Sequence, residues 1–233
     1  MKSLLIAMYL TCLSLSAVGP AQAQVKRTIV DYYNLTKGEG EPKIVPSKGS
    51  WRVVSADWSI ALTVADIANG YLEYEEQFGD GHSTISAALF LTRDKAPMLA
   101  ELDVQQQAAT CSPTEYVLKT FRMNNDRMAL ATDIVPSLSL GLFLTKGYAP
   151  KKSERFKLPG SSLKIGYRLP QKGTTLEAFL YTSTLACSLE NFSEGMIAEE
   201  REAVREFLRN VSKEPLKLKW NKEAGRFDPP ADR

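Results

Sequence analysis

Alternation with a period of two residues, broken repeatedly by turn chemistry, restricts this chain to a sheet-dominated fold. Trp58, Ile60, Leu62 and Val64 alternate with Ser59, Ala61, Thr63 and Ala65. Successive side chains of an extended backbone point to opposite sides, so this pattern is a strand with one buried face. Asn69-Gly70 follows and leads into a second extended run, Tyr71 to Phe78. Asn-Gly between two such runs predicts a hairpin, because both residues tolerate positive φ. Gly79-Asp80-Gly81 predicts another turn, with strands over Thr84 to Thr92 and Met98 to Val104 completing a meander that starts at Trp51.

The same pattern resumes further on. Tyr116 to Met123 and Met128 to Val135 flank Asn124-Asn125-Asp126, a further turn. Ser137 to Leu144 fits either a strand or a short helix. Lys146 to Lys164 breaks the pattern: it holds Gly147, Pro150, Pro159 and Gly160, with Lys151, Lys152, Arg155 and Lys157 close together. Such a stretch reads as a long, solvated basic connection. It divides the chain into a β-rich part at 24–150 and a second at 151–233, with a single domain over 24–233 as the alternative. Strands are expected again over Leu163 to Leu169 and Thr175 to Leu185.

From Ser193 the period becomes helical, with Ile197, Val204, Phe207, Leu208 and Val211 on one side. Ser193 is a suitable N-cap, and the glutamates come early and the arginines late, as the helix dipole favours. Leu216, Leu218 and Trp220 then open a terminal hairpin that returns through Gly225 to Phe227. The expected fold class is α+β: mostly antiparallel β-sheet of meander and hairpins, with one late α-helix packed on it.

Residues 1–23 are expected to be a signal peptide. Lys2 precedes an uncharged apolar stretch from Leu4 to Val18, and Ala21-Gln22-Ala23 offers small residues where a signal peptidase reads. That run is short for a bilayer span and contains Thr11, Ser14 and Ser16. The expected location is therefore periplasmic or secreted from a bacterium, with no stable membrane span after cleavage. Cleavage also removes Lys2, leaving 28 basic residues (29 − 1) against 27 acidic ones. That balance gives no global field for nucleic acid. Cleavage removes Cys12 too, and the remaining Cys111 and Cys187 are an even pair in an oxidising compartment, so a disulfide between them is expected. It would close a loop of 76 steps (187 − 111), a constraint of roughly 4 kcal/mol in the chain-entropy treatment.

Asp31-Tyr32-Tyr33, Asp66 with Asn69-Gly70-Tyr71-Leu72, Ala88-Leu89-Phe90, and Trp220-Asn221 with Gly225 and Phe227 resemble segments of uncharacterised secreted or periplasmic bacterial proteins. The resemblance implies an envelope or extracellular setting and a β-rich fold. It brings no catalytic or binding residues with it.

Chemistry-bearing residues are few. His82 is the sole histidine. It neighbours Asp80 and Ser83 in a turn, where a relay of base, acid and nucleophile does not align readily. Glu73 and Glu75 share one face of a strand near the spacing of paired glycosidase acids, with His82 close by. Trp51, Trp58, Tyr71 and Tyr74 cluster in sequence and would make a ligand platform if they lay on a surface. No phosphate loop, dinucleotide fingerprint, EF-hand spacing or zinc-ligand set is present, so neither a cofactor nor a metal is expected. Sequons start at Asn34, Asn191 and Asn210, but they matter only in a host that glycosylates exported chains. The expected function is an exported, non-enzymatic binding module for another envelope protein or a cell-surface molecule. The alternative is a carboxylate-dependent hydrolase of envelope glycans or peptides acting through Glu73, Glu75 and His82.

Overall fold

The computed structural model describes residues 27–107, 114–145, 148, 163–182, 202, 206 and 209–230. The described residues begin with a short helix, α1 (Ile29–Asn34), followed in sequence by three antiparallel sheets. The first joins β1 (Lys43–Ser47), β2 (Ser50–Val54) and β3 (Ser59–Ala61). The central one is a six-stranded meander of β4 (Val64–Asp66), β5 (Tyr71–Phe78), β6 (Gly81–Leu91), β7 (Pro97–Gln107), β8 (Thr114–Asn124) and β9 (Arg127–Leu130). The last joins β10 (Leu163–Arg168), β11 (Thr175–Thr182), β12 (Leu216–Asn221) and β13 (Arg226–Phe227).

Turn chemistry sets the hairpins. Ser47 pairs with Ser50 across Lys48-Gly49, and both loop residues have positive φ, 37° and 83°, as a two-residue hairpin of type I′ requires. Phe78 pairs with Gly81 across Gly79-Asp80, and Asn124 with Arg127 across Asn125-Asp126. The Asn69-Gly70 turn differs from the expected two-residue hairpin. Asp66 pairs with Tyr71, so the loop has four residues, with a 3-10 turn over Ile67–Asn69 and only Gly70 left-handed at φ 71°. Asp66 causes this, since its carboxylate accepts from the Asn69 backbone at 3.3 Å and from the Asn69 side chain at 2.9 Å. That local bond favours a helical turn over a tight reversal.

Both faces of the central sheet are covered. On one, Tyr71, Ala88, Phe90, Met98, Ala100 and Leu102 pack with Leu176, Ala178, Leu216, Leu218, Trp220 and Phe227 of the last sheet. On the other, Leu72, Tyr74, Ile85, Ala87, Leu99 and Met128 pack with Ile29, Val30 and Tyr33 of α1 and with Ile44 and Val53 of the first sheet. This double burial explains the near-continuous apolar run Ala87-Ala88-Leu89-Phe90 in β6, where a half-buried strand would alternate. The Phe90 ring centroid lies 5.3 Å from Trp220 and 5.0 Å from Phe227, and the Trp220 indole donates to the Leu91 carbonyl at 2.9 Å. Burying each such ring stabilises by about 1.5–3 kcal/mol, so these contacts anchor the terminal hairpin to β6. Residues from either side of 150/151 share this cluster, while the boundary itself lies outside the described residues.

The helix described in full, α1, is early, where the expected helix was late. α1 was concealed by its brevity: Thr28 precedes it and its backbone N–H donates to the Asp31 carboxylate at 2.6 Å, a capping arrangement followed by too few residues to show a helical period. Most of the late segment from Ser193 lies outside the described residues, where Glu202, Glu206 and Arg209 are the helical positions described. Cys111 and Cys187, the Asn191 sequon and the Ala21-Gln22-Ala23 site also lie outside them. Among the described residues, no helix is long and apolar enough to cross a membrane.

Candidate functional site

The residues singled out in the sequence converge on β5 and β6, and strand parity sorts them. In register, Glu73 faces Ser86, Glu75 faces Thr84 and Gln77 faces His82. Glu73, Glu75 and His82 therefore share the face that carries Tyr71, with His82 diagonal to Glu75. Such diagonal neighbours lie roughly 7–8 Å apart. Glu75 and His82 are exposed, whereas Glu73 is half-buried and its Oε2 accepts from the Tyr71 hydroxyl at 2.7 Å. Burial first, and then Glu73, holds the Tyr71 phenol above its ordinary pKa.

Of the expected aromatic platform, two members are interior. Tyr71 and Tyr74 are 7% and 4% exposed and belong to opposite cores. Trp51 packs against the α1-side core, and Trp58 is exposed ahead of β3. No common surface joins the four, because the period of two sends neighbouring tyrosines to opposite faces.

The opposite face holds a polar group that sequence reasoning missed. Glu76 lies on the Tyr74 side of β5, and beyond it Ser83 on β6 donates to Asp103 on β7. Gln105 also donates to Asp103, at 2.7 Å. Beside them Lys37, just after α1, forms an ion pair with Glu101 at 2.6 Å, and Glu101 is only 6% exposed. The Lys37 ammonium sits 4.2 Å from the Tyr33 ring centroid, and the Tyr33 and Tyr74 hydroxyls share a hydrogen bond of 2.9 Å. Burial, then the proximity of Asp103, raises the Glu76 pKa above the ordinary carboxylate value, and Lys37 partly offsets this. The overlooked signal was parity. Glu101 and Asp103 alternate with Ala100, Leu102 and Val104 of the other core, which places both acids on the face of Leu99 and Ile85.

The main chain of β5 adds a third feature. The Leu89 N–H donates to the Gly70 carbonyl at 2.8 Å, and the alternation it starts turns the even residues of β5 toward β6. The odd residues turn outward. There β4 takes Tyr71 and Glu73, but β4 ends at Val64, and no strand among the described residues pairs with β5 beyond Glu73. Glu75 and Gln77 thus present outward N–H and C=O groups at an edge where their own side chains and that of Phe78 are exposed and Glu76 is half-buried.

A surface groove of about 1270 Å³ runs beside α1 and the Ile67–Asn69 turn. Four of its polar side chains, Thr28, Asp31, Asn34 and Asn69, are engaged within the chain. Asp31 accepts from Thr28, Asn69 donates to Asp66, and Asn34 makes two bonds of 2.8 Å to the Ile44 backbone. None of Glu73, Glu75 and His82 lines it. Among the described residues, no cluster of three or more His, Cys, Asp or Glu side chains is arranged to hold a metal ion.

No protein-family model matches the chain, and no curated protein does. Among solved structures, a domain of an uncharacterised protein from Porphyromonas gingivalis W83 is similar over 85% of this chain and 83% of its own, with 13% identity and a TM-score of 0.46.

Proposed function

We propose that this chain is a periplasmic or secreted, non-enzymatic binding protein that takes up a segment of another envelope protein or cell-surface molecule. The observation that carries the reading is the unpaired outer edge of β5. Exposed edges are normally covered or blunted in sheet proteins, because their free backbone groups pair with other chains. The groove is a weaker candidate, since Thr28, Asp31, Asn34 and Asn69 in its wall are already bonded within the chain. Export rests on the leader at residues 1–23, and a Cys111–Cys187 bridge belongs to the same picture.

Native mass spectrometry on protein purified gently from its own host tests the proposal. The expected species begins at Gln24, is two hydrogens lighter than the reduced chain, and retains a partner that Gln77→Pro releases. Proline at an outward-facing edge position removes one donor and leaves the β5–β6 ladder intact. A bare monomer from both proteins would count against stable binding. An uncleaved leader or two free thiols would remove the compartment from the argument.

One observation favours a second reading, the carboxylate-dependent hydrolase. Glu73, Glu75 and His82 do share a face, with the two acids roughly 7 Å apart along the strand. Joint substitution of Glu73→Gln, Glu75→Gln and His82→Ala would abolish turnover by such an enzyme and leave binding at the β5 main chain in place. Hydrolysis of peptidoglycan fragments or envelope peptides at the parent rate by the triple variant would end that assignment.

A further inference from the structure

We infer that the occupant of the β5 edge is an extended cationic segment, added antiparallel as a further strand and carrying two consecutive Lys or Arg residues. The inference rests on the binding reading above and names the chemistry of its partner. Glu75 and Gln77 supply the outward backbone groups, so the partner contributes main chain and the recognition is strand addition. Charge then selects the side chains. Glu75 projects to one face of the sheet and Glu76 to the other, because they are neighbours on a strand. Two adjacent basic residues on the incoming strand would each meet one of these carboxylates. Further along, Phe78 is 39% exposed and would take an apolar residue. Read antiparallel, the partner sequence is apolar, any residue, basic, basic.

The outer edges of β1 and β8 are closed by different means. β1 carries Lys43 and Pro46, two devices that block pairing. The outer edge of β8 is bridged to the last sheet, where the Tyr116 N–H donates to the Tyr181 hydroxyl at 3.3 Å and Lys164 pairs with Glu115 at 2.8 Å. A second copy of this chain is a poor occupant. Pairing β5 with itself over these few residues brings glutamates of the two strands together, and like charges across a ladder are destabilising.

The probe is a synthetic heptapeptide, Thr-Val-Thr-Lys-Lys-Val-Thr, capped at both ends and titrated into the protein with its backbone amides followed by NMR. Saturable binding is expected, with the largest shifts at Glu75 and Gln77. Replacing the two lysines by glutamates, or Glu75→Lys in the protein, is expected to weaken binding at least tenfold. N-methylation of alternate peptide amides keeps the charge and removes the ladder, and it too should weaken binding at least tenfold, with the protein itself unchanged. Absence of saturable binding overturns the inference, as does an N-methylated peptide that binds within twofold of the parent, since charge would then act without strand addition. A host partner retained in native mass spectrometry alongside a failed peptide titration refutes the partner chemistry alone. Loss of both refutes the binding reading as well.

Discussion

The hydroxyls of Tyr33 and Tyr74 meet in the interior, bonded among the described residues only to each other, with Lys37–Glu101 close by. Burial, together with Tyr74 and Glu101, holds the Tyr33 phenol well above its ordinary pKa, so it stays protonated. Removing one hydroxyl strands the other, whereas removing both leaves an apolar contact of nearly the same shape. Tyr33→Phe and Tyr74→Phe should each destabilise by about 1–2 kcal/mol, and the double variant by clearly less than their sum. Urea midpoints of the four proteins check this, and strictly additive losses would show that the pair is uncoupled. At this scale the sequence was legible in an unexpected way. The segments that carry the resemblance to exported bacterial proteins are mainly scaffold. Asp31 caps α1, Gly70 is left-handed with a Cβ position 3.1 Å from the Leu89 Cβ, and Asn221 accepts from two backbone N–H groups of its own turn. Residues that make turns repeat wherever the turn does, so the resemblance carried the fold and no chemistry.

Strands with a marked pattern were readable as elements: the expected run Tyr71 to Phe78 coincides with β5, and the ends of β6, β7, β8 and β10 fall within three residues of those expected. β1 was overlooked, and β2 entered only as the start of the expected meander at Trp51. They are five residues each, and one holds Pro46, which is tolerated there because β1 is an edge. α1 was overlooked because six residues do not sustain a helix in isolation; its form depends on burying Ile29, Val30 and Tyr33 against the sheet. A further element-level detail escaped the sequence altogether. Gly166 of β10 pairs directly with Phe179 of β11, whose ring lies across the glycine: a Cβ there would stand 2.7 Å from the Phe179 Cε2. Phe179 has little freedom to yield, since its ring contacts Tyr116 edge-to-face at 5.2 Å and the Arg168 guanidinium lies 5.7 Å from it. Gly166→Ala should therefore destabilise by about 1–3 kcal/mol through overpacking, although alanine is the better residue for ordered backbone. A thermal melt decides it: a variant as stable as the parent would mean that the ring moves aside freely.

Three layers stacked on one central sheet place charged groups where a two-layer fold would leave them in water, and the candidate site follows from that. In sequence Glu76 is one more acid on the strand of Glu73 and Glu75, and only the covering by α1 and the first sheet distinguishes it from them. Its surroundings are Asp103, the Lys37–Glu101 pair, Tyr74 and Ser83, drawn from the α1 terminus, β5, β6 and β7, which no local pattern joins. Burial and Asp103 raise the Glu76 pKa in the folded protein above the ordinary carboxylate value. The folded state therefore holds this proton more tightly than the unfolded state does. Its contribution to stability is fully present below the ordinary carboxylate range and is lost as pH rises through the raised value. Glu76→Gln keeps the volume and removes the ionisation. The variant should melt higher than the parent at about pH 7, and the gap should close as pH falls to about 4, where an ordinary carboxyl is half protonated. Melting temperatures taken across that range test the point, and a gap of equal size at both ends would trace the effect to packing rather than to the Glu76 charge.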